Sequence, residues 1–154
     1  MPLPFQRAAW LPAIALVGAA SGCFSLPPKA DSPIGGAEAA SPSPAKLYVD
    51  TMNRAQQAYY PDWNSFASEL EDLGVDIPAE TDDYRYEVQS VEPERVVNVA
   101  IAKGNGRSVI GAVYVVGDTT QAIVCEAQAP GNVELSAPTL EGDTLTCPSG
   151  TRKI

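Results

Sequence analysis

The chain has 154 residues, 45% of them hydrophobic, which suffices for one compact domain with its own core and is too little for two. Lys and Arg number 10 against 19 Asp and Glu, a formal net charge of -9; a phosphate-neutralising surface, and with it a nucleic-acid partner, is disfavoured. The sequence holds no histidine, which removes Ser-His-Asp and Cys-His nucleophile arrangements and most zinc sites.

Arg7 is the only charge ahead of an apolar run, Ala8 to Ala20. As a helix this run would be about 20 Å long at ~1.5 Å per residue. That is short of a hydrocarbon core of about 30 Å, so it reads as the apolar region of a signal peptide rather than a membrane span. It ends in Ala20-Ser21-Gly22-Cys23. Small residues directly before a cysteine resemble a bacterial lipobox, with Ala20 where Leu is commoner. The resemblance implies cleavage before Cys23 and a diacylglyceryl group on its thiol. Residues 1–22 are then a lipoprotein signal peptide, and the mature protein is exported and anchored to a membrane, facing the periplasm or the cell surface. Two acyl chains make stable anchoring, at about 0.8 kcal/mol per buried CH₂. Of the three cysteines, Cys125 and Cys147 remain. They either pair, as an exported setting permits, or stay as two buried thiols.

Residues 23–45 comprise the lipidated Cys23 and a Pro/Ala/Ser-rich tether with Pro27, Pro28, Pro33, Pro42, Pro44 and Gly35-Gly36. Such a stretch cannot bury enough apolar surface to offset its ordering entropy. It would span roughly 25 Å as a flexible chain. The globular domain is expected over residues 46–154. Leu47, Thr51, Ala55 and Tyr59 recur at steps of four from Lys46, with Tyr48, Met52 and Ala58 beside them and Asp50, Asn53, Arg54 and Gln57 opposite. This pattern predicts an amphipathic helix that ends at Pro61. A short second helix with Phe66, Leu70 and Leu73 as its stripe would start at a cap on Asp62 or Asn64 and stop at Gly74.

Strands follow. Tyr84, Tyr86 and Val88 alternate with charged and polar residues; Val97, Val99 and Ile101 mark the next strand. Gly104-Asn105-Gly106 is a turn of residues that tolerate positive φ. Val109 to Val116 is apolar on both faces, as a central strand would be. Gly117-Asp118 turns the chain into Thr120–Ala127. The tail from Pro130 reads as irregular. The expectation is an α+β domain: an N-terminal helix and a short second helix packed on an antiparallel sheet of about four strands.

The string Tyr48-Val49-Asp50-Thr51-Met52-Asn53-Arg54-Ala55-Gln56-Gln57-Ala58-Tyr59-Tyr60 resembles the helix-to-loop region of cyanobacterial type IV pilins. Phe66, Leu70-Glu71-Asp72-Leu73-Gly74, Ile77-Pro78, Gly111-Ala112-Val113-Tyr114, Ile123-Val124-Cys125-Glu126 and Cys147-Pro148-Ser149-Gly150 continue the likeness. Together they are similar to the type IV pilin-like G and H group over most of residues 46–154. The resemblance implies a pilin head closed by a C-terminal disulfide loop, with Cys125 and Cys147 at the positions that carry the bond. Ordinary type IV pilins begin with a prepilin cleavage site, Phe-Thr-Leu-Ile-Glu and a long apolar helix. This sequence shows no such signature, which puts assembly as an ordinary filament subunit in doubt.

Two carboxylate clusters, Glu69/Glu71/Asp72 and Glu80/Asp82/Asp83, lack EF-hand spacing and read as solvated surface. Gly104-Asn105-Gly106 lacks the third glycine of a dinucleotide fingerprint, since position 109 is Val. No metal, cofactor or catalytic residue is expected. Tyr60 and Trp63 are a candidate binding surface, because Tyr and Trp make rigid amphipathic contacts. In the competing reading Tyr59 and Phe66 enter the core while Tyr60 and Trp63 pack the turn. The expected function is that of a non-catalytic accessory or docking component of a pilus, secretion or envelope assembly. The alternative is a stand-alone lipoprotein binding module for an extracellular ligand or polysaccharide.

Overall fold

The computed structural model describes residues 43–154; the signal-like run, Cys23 and the tether up to residue 42 lie outside the described residues. Helix α1 spans Pro44–Trp63. Proline at its first position gives up an amide that no helical carbonyl would have used. Pro44 and Ala45, read above as tether, therefore belong to the helix, and Ala45 is fully buried. Pro61 does not stop the helix either. It lies in the last turn, where its missing N–H leaves a single carbonyl unbonded. The helix ends at Asn64, whose φ is 50° and whose N–H donates to the Tyr60 carbonyl at 2.8 Å.

The buried face of α1 consists of Ala45, Val49, Met52, Asn53 and Gln56. It is not the Leu47-Thr51-Ala55-Tyr59 stripe, and Leu47 is 54% exposed. The stripe is displaced because two of the buried positions are amides with designated partners. Gln56 forms a two-way bond to Ala67: the Ala67 N–H donates to Oε1 at 2.9 Å and Nε2 donates to the Ala67 carbonyl at 3.0 Å. Those backbone groups are then committed to a side chain and not to a helical ladder. The expected second helix shrinks accordingly to one 3₁₀ turn, Glu71–Leu73, closed at Gly74 with φ 64°. Phe66 and Leu70 are buried as the pattern predicts.

Seven strands follow: β1 Tyr84–Glu92, β2 Arg95–Ala102, β3 Val109–Val116, β4 Thr119–Ala127, β5 Thr139–Glu141, β6 Thr144–Thr146 and β7 Thr151–Lys153. Five form an antiparallel sheet in the order β1-β2-β3-β4-β7, and β5 pairs with β6 in a separate hairpin. The sheet has one strand more than expected, because the tail contributes β7. Helix α1 packs Val49 and Met52 on one face, against Tyr86, Ala100 and Val109. The tail covers the other face, where Leu135, Leu140 and Leu145 meet Val97, Val99, Ile110, Ala112 and Ile123. A strand covered on both sides must be apolar on both sides, which accounts for Val109–Val116.

The Cys125–Cys147 disulfide, with Cα atoms 5.8 Å apart, fastens this tail to β4. The Tyr114 hydroxyl donates to the buried Pro138 carbonyl at 2.5 Å as a second fastening. Gly104 and Gly106 do not use positive φ, unlike Gly117 at 59°. Gly106 is needed for close approach instead: a Cβ there would collide with the Tyr84 hydroxyl.

Candidate functional site

The last turns of α1 run out beside the β3–β4 turn, at one end of the sheet. Gln57 anchors this end, its Nε2 donating to the Thr120 carbonyl at 3.2 Å and to Thr120 Oγ1 at 3.1 Å. Tyr60 turns inward, its ring 4.7 Å from that of Phe66, within a cluster that includes Val96, Val113 and Val115. Between helix and turn lies a cleft of about 490 Å³. Tyr60, Pro61 and Val115 supply its apolar walls. Gln57, Asn64, Asp118, Thr119 and Thr120 supply its polar ones.

The two candidate contact residues thus have different surroundings. Tyr60 is half-buried and lines the cleft. Trp63 is 66% exposed and lies outside the cleft, stacked on Tyr59 at 5.7 Å with 22° between the ring planes. Tyr59 is half-buried, not a core residue, whereas Phe66 is core. Reading the sequence missed Asn64, Asp118, Thr119 and Thr120. Gly117-Asp118 was legible as a turn, but nothing local says that it faces the end of α1.

Charge is concentrated elsewhere. Glu126 on β4 has a side chain only 5% exposed. Lys46 approaches its Oε1 at 3.0 Å, and Arg152 of β7 donates twice to its Oε2, at 2.9 and 2.5 Å. Burial pushes this carboxyl up, but the bonds from Arg152 and Lys46 outweigh burial and hold it below the ordinary glutamate value of 4.5. The triad joins the first turn of α1 to the last strand. With both carboxylate oxygens of Glu126 bonded to side chains from these two elements, it is a fastening. Glu80 bonds Lys103 at 2.5 Å, and that bond holds its carboxyl low. Among the described residues no group of three or more Asp, Glu, Cys or His converges as a metal site would require.

The family model described as type IV pilin-like G and H matches residues 43–148. The chain belongs to the type IV pilin-like G and H family. Neither a curated protein nor a solved structure matches it significantly. The matched span opens at Ser43, the cap position of α1, and runs past Cys147. It therefore contains the helix, β1 to β6 and the disulfide of this pilin-like protein. Among the described residues no helix is long and apolar enough to cross a membrane.

Proposed function

We propose that this pilin-like protein is exported, held to a membrane by lipid on Cys23, and acts by non-covalent docking as an accessory component of a pilus, secretion or envelope assembly. The observation that carries the reading is the way α1 begins. It opens on Pro44 after a Pro-rich run, with Ala45 already in the core. The preceding apolar segment ends well upstream, at Cys23. A head joined to a lipid-bearing Cys23 through such a run is suited to display from a membrane, not to burial of a continuous helix in a filament. A non-catalytic role is supported by the sequence's lack of histidine and by Glu126, a buried carboxylate committed to Lys46 and Arg152.

The test is fractionation of cells after mechanical shearing of surface filaments, comparing wild type with Cys23→Ala. Retention of wild type in the membrane pellet, with the variant soluble or unprocessed, supports a lipid-anchored accessory protein. Release of wild type with the filaments, whether or not Cys23 is present, overturns it. The alternative reading, a stand-alone binding module, is favoured by one observation of its own, the cleft at the end of α1.

A further inference from the structure

We propose that the cleft between the end of α1 and the β3–β4 turn binds a neutral carbohydrate. Its size, about 490 Å³, falls within the range of roughly 300–1,000 Å³ of small-molecule sites. Its lining combines residues with amide and hydroxyl side chains, Gln57, Asn64, Thr119 and Thr120, with the apolar Val115 and the ring of Tyr60. A sugar ring offers the same division, with hydroxyls at its rim and C–H groups on its faces. No Lys or Arg lines the cleft, and Asp118 does. A phosphate, sulfate or uronate would find no cation there and one repelling carboxylate. A neutral polyol loses nothing by this.

The two walls of the cleft are tied to each other. Gln57 is held on Thr120 by two bonds, so the wall from α1 and the wall from the turn keep their spacing. Asn64 sits at φ 50°, where glycine is the commonest occupant of a helix C-terminus and asparagine a less frequent one. Glycine would serve the backbone there at least as well, and Asn64 is one of the residues that line the cleft. Trp63, the residue before it, presents an exposed ring backed by Tyr59. A longer saccharide leaving the cleft would meet this aromatic surface. The inference stands apart from the anchor, since Cys23 plays no part in it.

The test is isothermal titration calorimetry of the full chain. The probes are neutral gluco-, manno- and galacto-oligosaccharides, with hyaluronan oligosaccharides as the anionic comparison. At least one neutral probe should bind and the anionic one should not. Asn64→Gly and Asp118→Ala should each weaken the neutral probe by about tenfold, the scale of a lost hydrogen bond or two, with the unfolding midpoint unmoved. Trp63→Ala should weaken long probes more than short ones. Failure of every neutral probe to bind, preference for the anionic one, or unchanged binding in both Asn64→Gly and Asp118→Ala overturns the proposal.

Discussion

Asn53 lies directly over Gly111: a Cβ built on Gly111 would stand 2.7 Å from both Nδ2 and Oδ1 of the asparagine, and 2.6 Å from Cγ1 of Val49. The helix approaches the sheet this closely only because β3 carries no side chain at that point. Gly111→Ala should therefore destabilise the protein. The methyl would gain a little by stiffening the unfolded chain, about 0.4–1 kcal/mol. Overpacking costs about 1–3 kcal/mol, and displacing Asn53 adds the loss of its buried bonds. The expected net is a loss of about 2–4 kcal/mol, read as a lowered midpoint in urea unfolding. An unchanged midpoint would mean that α1 does not rest on Gly111.

The amide over that glycine works in two directions. Asn53 Nδ2 donates to the Ile123 carbonyl at 3.0 Å, and Asn53 Oδ1 accepts from Asn98 Nδ2 at 2.9 Å. All three side chains or backbone groups are buried. Asn53→Leu should cost about 2–4 kcal/mol, because two buried groups lose their partners at about 1–3 kcal/mol each while apolar burial offsets a part. A double-mutant cycle with Asn98→Ala should show coupling of about 0.5–3 kcal/mol. Additive losses would show that the two amides act independently.

These amides also mark where sequence and structure part. The strands were legible because their patterns are simple: Tyr84, Tyr86 and Val88 alternate, and Val109–Val116 is apolar throughout. The helix was legible as a helix, but its buried face was not. Asn53 looks like a solvent residue until Ile123, distant in sequence, supplies its acceptor. The second helix failed for a related reason, since Gln56 takes both backbone groups of Ala67. In the tail, β5 and β6 each carry one leucine between polar residues, too little periodicity to announce a hairpin. The cleft drew its lining from residues near 60 and near 118, and no local pattern joins them. Cys125 and Cys147 were legible as a possible pair once the lipobox claimed Cys23, and their positions in the family implied the bond that the structure shows.

Acid should loosen the contact between α1 and β7. Glu126 has a folded-state value below its ordinary one, so its ion pairs contribute stability that is fully present above the unfolded value. That contribution is lost as pH falls through the folded value. Wild-type stability should therefore decline below about pH 4.5, and Glu126→Gln should flatten part of that decline. At neutral pH the same substitution should cost about 1–3 kcal/mol; Arg152 is 60% exposed at its side chain, which keeps the figure modest. Urea unfolding of both proteins from pH 3 to pH 7 measures it. Parallel pH profiles would show that Glu126 does not titrate on unfolding.

The disulfide should govern the fate of one whole layer. It joins residues 22 apart in sequence and holds the segment that covers Val97, Val99, Ile110 and Ala112. In the chain-entropy account a crosslink of this span constrains the unfolded state by about 3 kcal/mol. Cys147→Ser should lower stability by about that much. It should also make residues 132–150 the first site of proteolytic cleavage, since between the Gly131 bonds to Ser108 and Gly106 and strand β7 only the Tyr114–Pro138 bond and apolar packing would then fasten the tail. Lifting the tail exposes an apolar sheet face, so a dye such as ANS should bind the variant and not the wild type. Limited proteolysis read by mass spectrometry, with ANS fluorescence beside it, separates two cases. Early cleavage with raised fluorescence means that the bond keeps the tail on the sheet. Wild-type resistance and no dye binding would mean that the packing of Leu135, Leu140 and Leu145 holds the layer without it.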